Sequence, residues 1–271
     1  MARRPAALPV GRPWGHVETV FYQRGIRQAL RHSTRIVAIS EATRQRITAH
    51  DAAAGARTEV IRHGLDPAFR PAENDAERAA IGVAQQRYAP GSRRFVLTVG
   101  QATPYKNHPR VIEAFARAFR GDGTTHLVLV QRLGHEARGL LELARREGID
   151  GQVHVQPGVP FADLLSLYRG ALTLCHPSLA EGWGMPVGEA LGCGCPVVTS
   201  DRSAMPEVCG EAGLLADPTD PDAIAAALRR MRDDEPLRAR LREAGLAHAA
   251  TFRWDTAAAE HAALYRAMLA P

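Results

Sequence analysis

Two glutamates eight positions apart, Glu181 and Glu189, stand in the stretch of this 271-residue chain best suited to chemistry. The stretch is LTLCHPSLAEGWGMPVGEALGCGCPVVTS, residues 172–200. It reads as an apolar strand, a polar loop with Glu181, a short helix carrying Glu189 and a second apolar strand. Gly182 and Gly184 flank Trp183, and Met185 and Pro186 follow. Glycines let backbone N–H groups approach an anion because no Cβ intervenes. Pro186 suits the first turn of a helix, where a missing N–H costs nothing. That helix would turn its positive N-terminal end toward a phosphate. A carboxylate at Glu189 repels phosphate, so hydroxyl recognition is its better role. The whole fits a ligand with hydroxyls at both ends and a phosphate between them. Taken alone, the pair also fits a glycine-punctuated surface loop with two solvated glutamates; its surroundings decide.

Lys106 is the only lysine among 34 basic residues, in a loop directly after an apolar strand. A base composition that favours arginine codons explains the missing lysines but not the one retained. As a compact point charge, Lys106 is a candidate phosphate ligand.

The chain must build the elements that bring these groups together. Its length allows one large core or two modest ones, and 45% apolar with 23% charged residues describes a globular protein. The formal charge of +5 favours anionic ligands. No basic run interleaved with aromatics points to nucleic acid. The start, MARRPAALPVGRPWG, lacks the apolar core of a secretory signal, and no stretch has the length of a membrane span. A cytoplasmic protein is expected, with at most peripheral contact at the inner membrane face. Cys175, Cys193, Cys195 and Cys209 are expected as reduced, buried thiols, and no metal site is expected.

Residues 1–70 read as an incomplete lobe and linker: a helix over 17–31, short strands at 35–39 and 58–61, and a helix capped by Ser40. Arg24, Arg27, Arg31 and Arg35 give the first part a basic face. From residue 94, continuous apolar strands at 95–99, 126–130, 152–156, 171–175, 196–199 and 213–216 alternate with amphipathic helices. That rhythm predicts an α/β fold with a parallel sheet covered on both faces. Such sheets bind ligands at the carboxyl ends of their strands. Lys106, Gln131, Arg132, Val159 and Glu181 each follow a strand end and are expected to converge. Three helices close the chain.

The run HPSLAEGWGMPVGEALGCGCPVVTSDRSAMPEVCGEAGLLADP resembles the signature region of family-4 glycosyltransferases. FVLTVGQATPYKN at 95–107 is similar to the segment that opens that family's C-terminal lobe, and RIVAISE at 35–41 to the end of its N-terminal lobe. The resemblance implies a GT-B fold, here with one complete Rossmann-like, doubly wound lobe over 71–252. It also implies a truncated N-terminal lobe with linker over 1–70 and a crossover helix over 253–271. It implies retaining transfer of a hexose, mannose included, from a nucleoside-diphosphate sugar to a glycan or lipid-linked acceptor, without cofactor or metal. Carried over residue by residue, Glu181 would hold donor-sugar hydroxyls and Glu189 the ribose. Lys106 would bind the diphosphate, while Gly182, Trp183, Gly184, Met185 and Gly100 would line the donor. Val159, in the turn 158–160, would contact the base.

Gln101 and Tyr105 occupy places where such enzymes commonly carry a phosphate-binding arginine, which leaves Arg132 or Arg110 to substitute. Two lobes of comparable size are needed for transfer, so a chain this short is expected to bind donor and turn it over poorly. Its first lobe would be lost through a shortened gene or start site, or else supplied in trans, and the apolar residues of its last helix (Ala257, Ala258, His261, Leu264 and Leu269) would lack part of their docking surface. A non-catalytic nucleotide-sugar-binding partner or regulatory module is the alternative.

Overall fold

The structure, a computed structural model, describes residues 13–131 and 136–270. It divides into two compact units, residues 1–60 and 61–271. In the first, α1 (Pro13–His32) precedes β1 (Ile36–Ala38), α2 (Glu41–His50), α3 (Ala52–Gly55) and β2 (Thr58–Val60), with β1 and β2 paired in parallel. Ser40 caps α2 as its sequence predicts: its Oγ accepts the Thr43 N–H at 3.0 Å. Arg24, Arg27 and Arg31 of α1 are exposed.

The second unit opens with α4 (Asp75–Tyr88), a helix the sequence reading omits. Then come β3 (Arg94–Val99), α5 (His108–Phe119), β4 (Thr125–Val130), α6 (Glu136–Arg146), β5 (Val153–Gln156) and α7 (Phe161–Gly170). They are followed by β6 (Thr173–His176), α8 (Met185–Gly192), β7 (Val197–Ser200), α9 (Met205–Cys209) and β8 (Gly213–Ala216). The chain closes with α10 (Pro221–Asp233), α11 (Glu235–Ala249) and α12 (Trp254–Leu269). The six strands β3 to β8 form one sheet in the order β5-β4-β3-β6-β7-β8, and every pairing is parallel.

The continuous apolar runs predict burial on both faces, and adjacent residues of β3 show it. Val96 joins the cluster built with Phe115 of α5 and Leu228 of α10. Phe95 instead lies near Gly170, where an added Cβ would stand 3.7 Å from its ring and 2.6 Å from Ile81 of α4. α4 packs on α7, and α8 on α11. The four cysteines are buried and free, as expected. The segment 61–74 carries no helix or strand and runs against the back of α8. A Cβ on Gly192 would lie 2.5 Å from the Phe69 carbonyl oxygen, so this approach requires glycine. Of the residues expected to pack the last helix, Ala257 and Leu264 are buried, whereas Ala258 and Leu269 are exposed. Among the described residues, no helix is long and apolar enough to cross a membrane.

Candidate active site at the switch point of the sheet

The strand order reverses between β3 and β6. Loops leaving the carboxyl ends of these two neighbours run to opposite sides, which opens a crevice in the sheet's edge. Lys106 lies on the loop after β3 and Glu181 on the loop after β6.

The first loop is held in shape by Asn107. It takes a left-handed conformation (φ 64°), and its Nδ2 donates to the carbonyls of Pro177 at 3.0 Å and Pro218 at 2.7 Å. The Leu179 amide donates to the Tyr105 carbonyl at 2.8 Å, tying the two loops together. Gly100 lets the stem of Lys106 lie close: an added Cβ would sit 3.3 Å from Lys106 Cδ.

One oxygen of Glu181 collects three contacts. Oε1 accepts from Lys106 Nζ at 2.7 Å and from Ser178 Oγ at 2.9 Å, and His176 Nε2 lies 3.1 Å away. Among the described residues, Oε2 has no hydrogen-bond partner, so the carboxylate is fixed by one oxygen and presents the other. The Glu181 backbone is clamped as well: its N–H donates to Ser203 Oγ at 3.0 Å, and its carbonyl accepts from the same hydroxyl. Burial pushes the Glu181 carboxyl up, but the hydrogen bonds from His176 and Lys106 outweigh it and hold the group at about 2. It is therefore a fixed anion. His176 is buried, and burial lowers it despite its bond to Glu181.

Glu189 repeats the arrangement one element later. It sits mid-way along α8, where Tyr168 of α7 donates its hydroxyl to Glu189 Oε2 at 2.7 Å. Oε1 has no partner among the described residues. Burial raises the Glu189 carboxyl, and Tyr168 and the charge of Lys106 offset part of that rise. Lys106 thus acts electrostatically on both glutamates. Between them, α8 begins just after Gly184 (φ 102°), with Pro186 in its first turn and no side chain capping it. A positive helix end, an ammonium group and two half-anchored carboxylates suit an anion with hydroxyls on either side.

The other expected residues are placed differently. Gly182 is exposed on the loop. Trp183 is buried, its indole edge-on to Phe252 with centroids 5.2 Å apart, so its ring belongs to the packing. Met185 is the first residue of α8 and half-buried. Val159 is half-buried past β5, beside Gly158 at φ 128°, and makes no hydrogen bond to the others among the described residues. Arg132 lies outside the described residues. Arg110 is engaged by Glu113 at 2.6 Å. Gln131 converges not on Lys106 but on His108, accepting from its Nδ1 at 2.9 Å. His176, Ser178, Ser203 and Tyr168 were not singled out by sequence. The one available signal was that His176 closes β6 and Ser178 follows it, just before Glu181.

Residues 83–248 match the family described as Glycosyl transferases group 1. The O-antigen chain mannosyltransferase B of Escherichia coli is 36% identical over 171 residues, 63% of this chain and 45% of that protein. The D-inositol 3-phosphate glycosyltransferase of Segniliparus rotundus is 31% identical over 249 residues, 89% of this chain and 54% of that one. The chain spans about half the length of the curated relatives it matches. Among solved structures, HepE of Anabaena in complex with UDP-glucose superposes with a TM-score of 0.80 at 20% identity, over 93% of this chain and 69% of that one. Sucrose-phosphate synthase of Thermosynechococcus elongatus gives 0.76 at 22%, over 96% and 64%. The fold is accordingly the α/β fold of GT-B glycosyltransferases.

Proposed function

This chain belongs to the glycosyl transferases group 1 family, and from that premise we propose that its second unit binds a nucleoside-diphosphate sugar at the crevice between β3 and β6. The observation that carries the reading is the pair of half-anchored carboxylates. Glu181 and Glu189 each spend one oxygen on fixed donors and keep the other for a ligand, with Lys106 and the start of α8 between them. In this reading Glu181 takes hydroxyls of the donor sugar, and Glu189 takes the ribose diol. Lys106 receives the diphosphate, and Gly182, Gly184, Met185, Gly100 and the backbone of Trp183 line its path. Val159 meets the base, and Arg132 supplies the second phosphate charge. HepE, solved with UDP-glucose, supports this class of ligand.

The reaction we propose is hexosyl transfer to a glycan or lipid-linked acceptor with retention at the anomeric carbon. The departing diphosphate develops negative charge as the glycosidic bond breaks. A fixed ammonium and a helix N-terminus stabilise that charge without reorganising. The same phosphate then accepts the acceptor's proton, so no side chain has to act as base. The relative from Escherichia coli, named a mannosyltransferase, makes mannose the first donor sugar to try.

A thermal-shift screen of UDP- and GDP-sugars tests the reading. At least one nucleoside-diphosphate sugar should raise the melting temperature through linkage, and its free sugar should not. No stabilisation by any of them would count against donor binding.

A further inference from the structure

Glu189 is an unusual choice for a ligand-facing carboxylate, because burial works against its charge. What keeps it aimed is a single residue on another helix. Tyr168 has none of its surface exposed, and its hydroxyl ends 2.7 Å from Glu189 Oε2. Its ring cannot turn away. Phe69, from the segment 61–74, stands edge-on to it at 5.9 Å and 78°. Phe69 is itself edge-on to Phe161 at 5.6 Å and seated by the close approach of its carbonyl to Gly192. Burial raises the phenol well above its ordinary range, so it keeps its proton and can only donate to a carboxylate.

We propose that Tyr168 is a positioning residue for nucleotide binding: its buried hydroxyl fixes Oε2 of Glu189, and so points Oε1 at the ribose diol of a nucleoside diphosphate. This rests on the donor-site reading above. Two carboxylate oxygens exchange places when the group rotates about its terminal bond. A donor on one of them stops that rotation and orders the ligand-facing oxygen before the ligand arrives. The ordering energy is then met on folding and not on binding. The groups acting on Glu189 are Tyr168 of α7 and Lys106 of the loop after β3; its own charge in turn helps to raise the Cys193 thiol at the end of its helix. Only Tyr168 gives its carboxylate a hydrogen bond among the described residues.

Tyr168→Phe removes one oxygen and keeps the ring packing. UDP and GDP are titrated calorimetrically into the wild type, Tyr168→Phe and Glu189→Gln between pH 5 and 8. Tyr168→Phe should weaken binding about fivefold near pH 7.5, since hydrogen bonds to charged groups are the stronger ones. It should also move the acid limb of the affinity profile upward by roughly half a pH unit or more, because the carboxylate loses a group that favours its charged form. A residue that merely fills space would lower affinity without moving that limb. An unmoved limb, or unchanged affinity, overturns the positioning role while Glu189→Gln still weakens binding. If Glu189→Gln leaves the affinity of the tighter nucleotide intact, the ribose reading itself fails, and this inference with it. Should Tyr168→Phe not fold, Glu189→Asp makes the same test, because it keeps the charge but draws it back from the hydroxyl. It should lose affinity as Glu189→Gln does, and retained affinity would overturn the proposal.

Discussion

Lys106 Nζ and Glu181 Oε1 stand 2.7 Å apart across the point where the strand order reverses, each side chain only 10% exposed. A buried ion pair of this kind is a weak source of stability, because removing two charges from water costs about what their attraction returns. Its value lies in what it leaves available. The ammonium group keeps two more N–H donors, and the carboxylate keeps Oε2.

Replacing Lys106 should therefore have two effects. Lys106→Met strands a buried carboxylate and should destabilise the fold by roughly 3 kcal/mol. Adding Glu181→Gln should restore part of that loss, read as the midpoint of urea unfolding. Binding should change selectively: affinity for a nucleoside diphosphate falls much more than affinity for the nucleoside. Equal losses for both would make Lys106 a structural residue. Chelation with EDTA should leave diphosphate affinity unchanged; strict dependence on magnesium would contradict a lysine-centred phosphate site.

The strands were legible because a strand buried on both faces is written as an unbroken apolar run, as LVLV at 127–130 shows. Glu181 and Glu189 were legible because glycines and Pro186 lie between them at a fixed spacing. Their partners were not. His176 reads as the end of a strand and Tyr168 as a core aromatic of α7, and only tertiary packing brings them to the carboxylates. α4 escaped because only Ala84 and Tyr88 of its fourteen residues are buried, so it carries little apolar periodicity. Asn74, whose side chain caps the Glu77 amide, was its one readable signal.

Acid should destabilise the protein, in part through His108. Burial lowers its imidazole to about 4 from an ordinary 6.5, despite the bond to Gln131. Below pH 6.5 the unfolded chain binds a proton that the folded chain refuses, so stability falls as pH falls from about 6.5 to 4. The shift corresponds to something on the order of 3 kcal/mol. His108→Asn should flatten the dependence of melting temperature on pH across that window. An equally steep dependence in the variant would assign the effect to other groups.

Gly184→Ala should damage the start of α8. The residue adopts φ 102°, and an added Cβ would sit 2.1 Å from Cε of the buried Met205, so the end of that side chain would have to shift. Left-handed backbone alone costs roughly 1–2 kcal/mol outside glycine. A fall of several degrees in melting temperature is expected, with weaker nucleotide binding. A variant as stable as the wild type would show that the loop adapts.

Glu189→Ala should weaken binding of a nucleoside diphosphate about tenfold or more, through the loss of a charge-assisted hydrogen bond to ribose. The 2′,3′-dideoxy form of the nucleotide should lose its affinity for the wild type to a similar extent and be indifferent to the substitution. Sensitivity of the dideoxy form to Glu189→Ala would place the carboxylate elsewhere on the ligand.

The most direct measurement is a crystal structure of the chain grown with UDP or GDP, whichever binds in the thermal screen. The ribose hydroxyls should lie within about 2.6–3.2 Å of Glu189 Oε1. The diphosphate should rest on Lys106 Nζ and the first turn of α8. A nucleotide bound away from the crevice between β3 and β6, or a diphosphate that does not touch Lys106, would contradict the account.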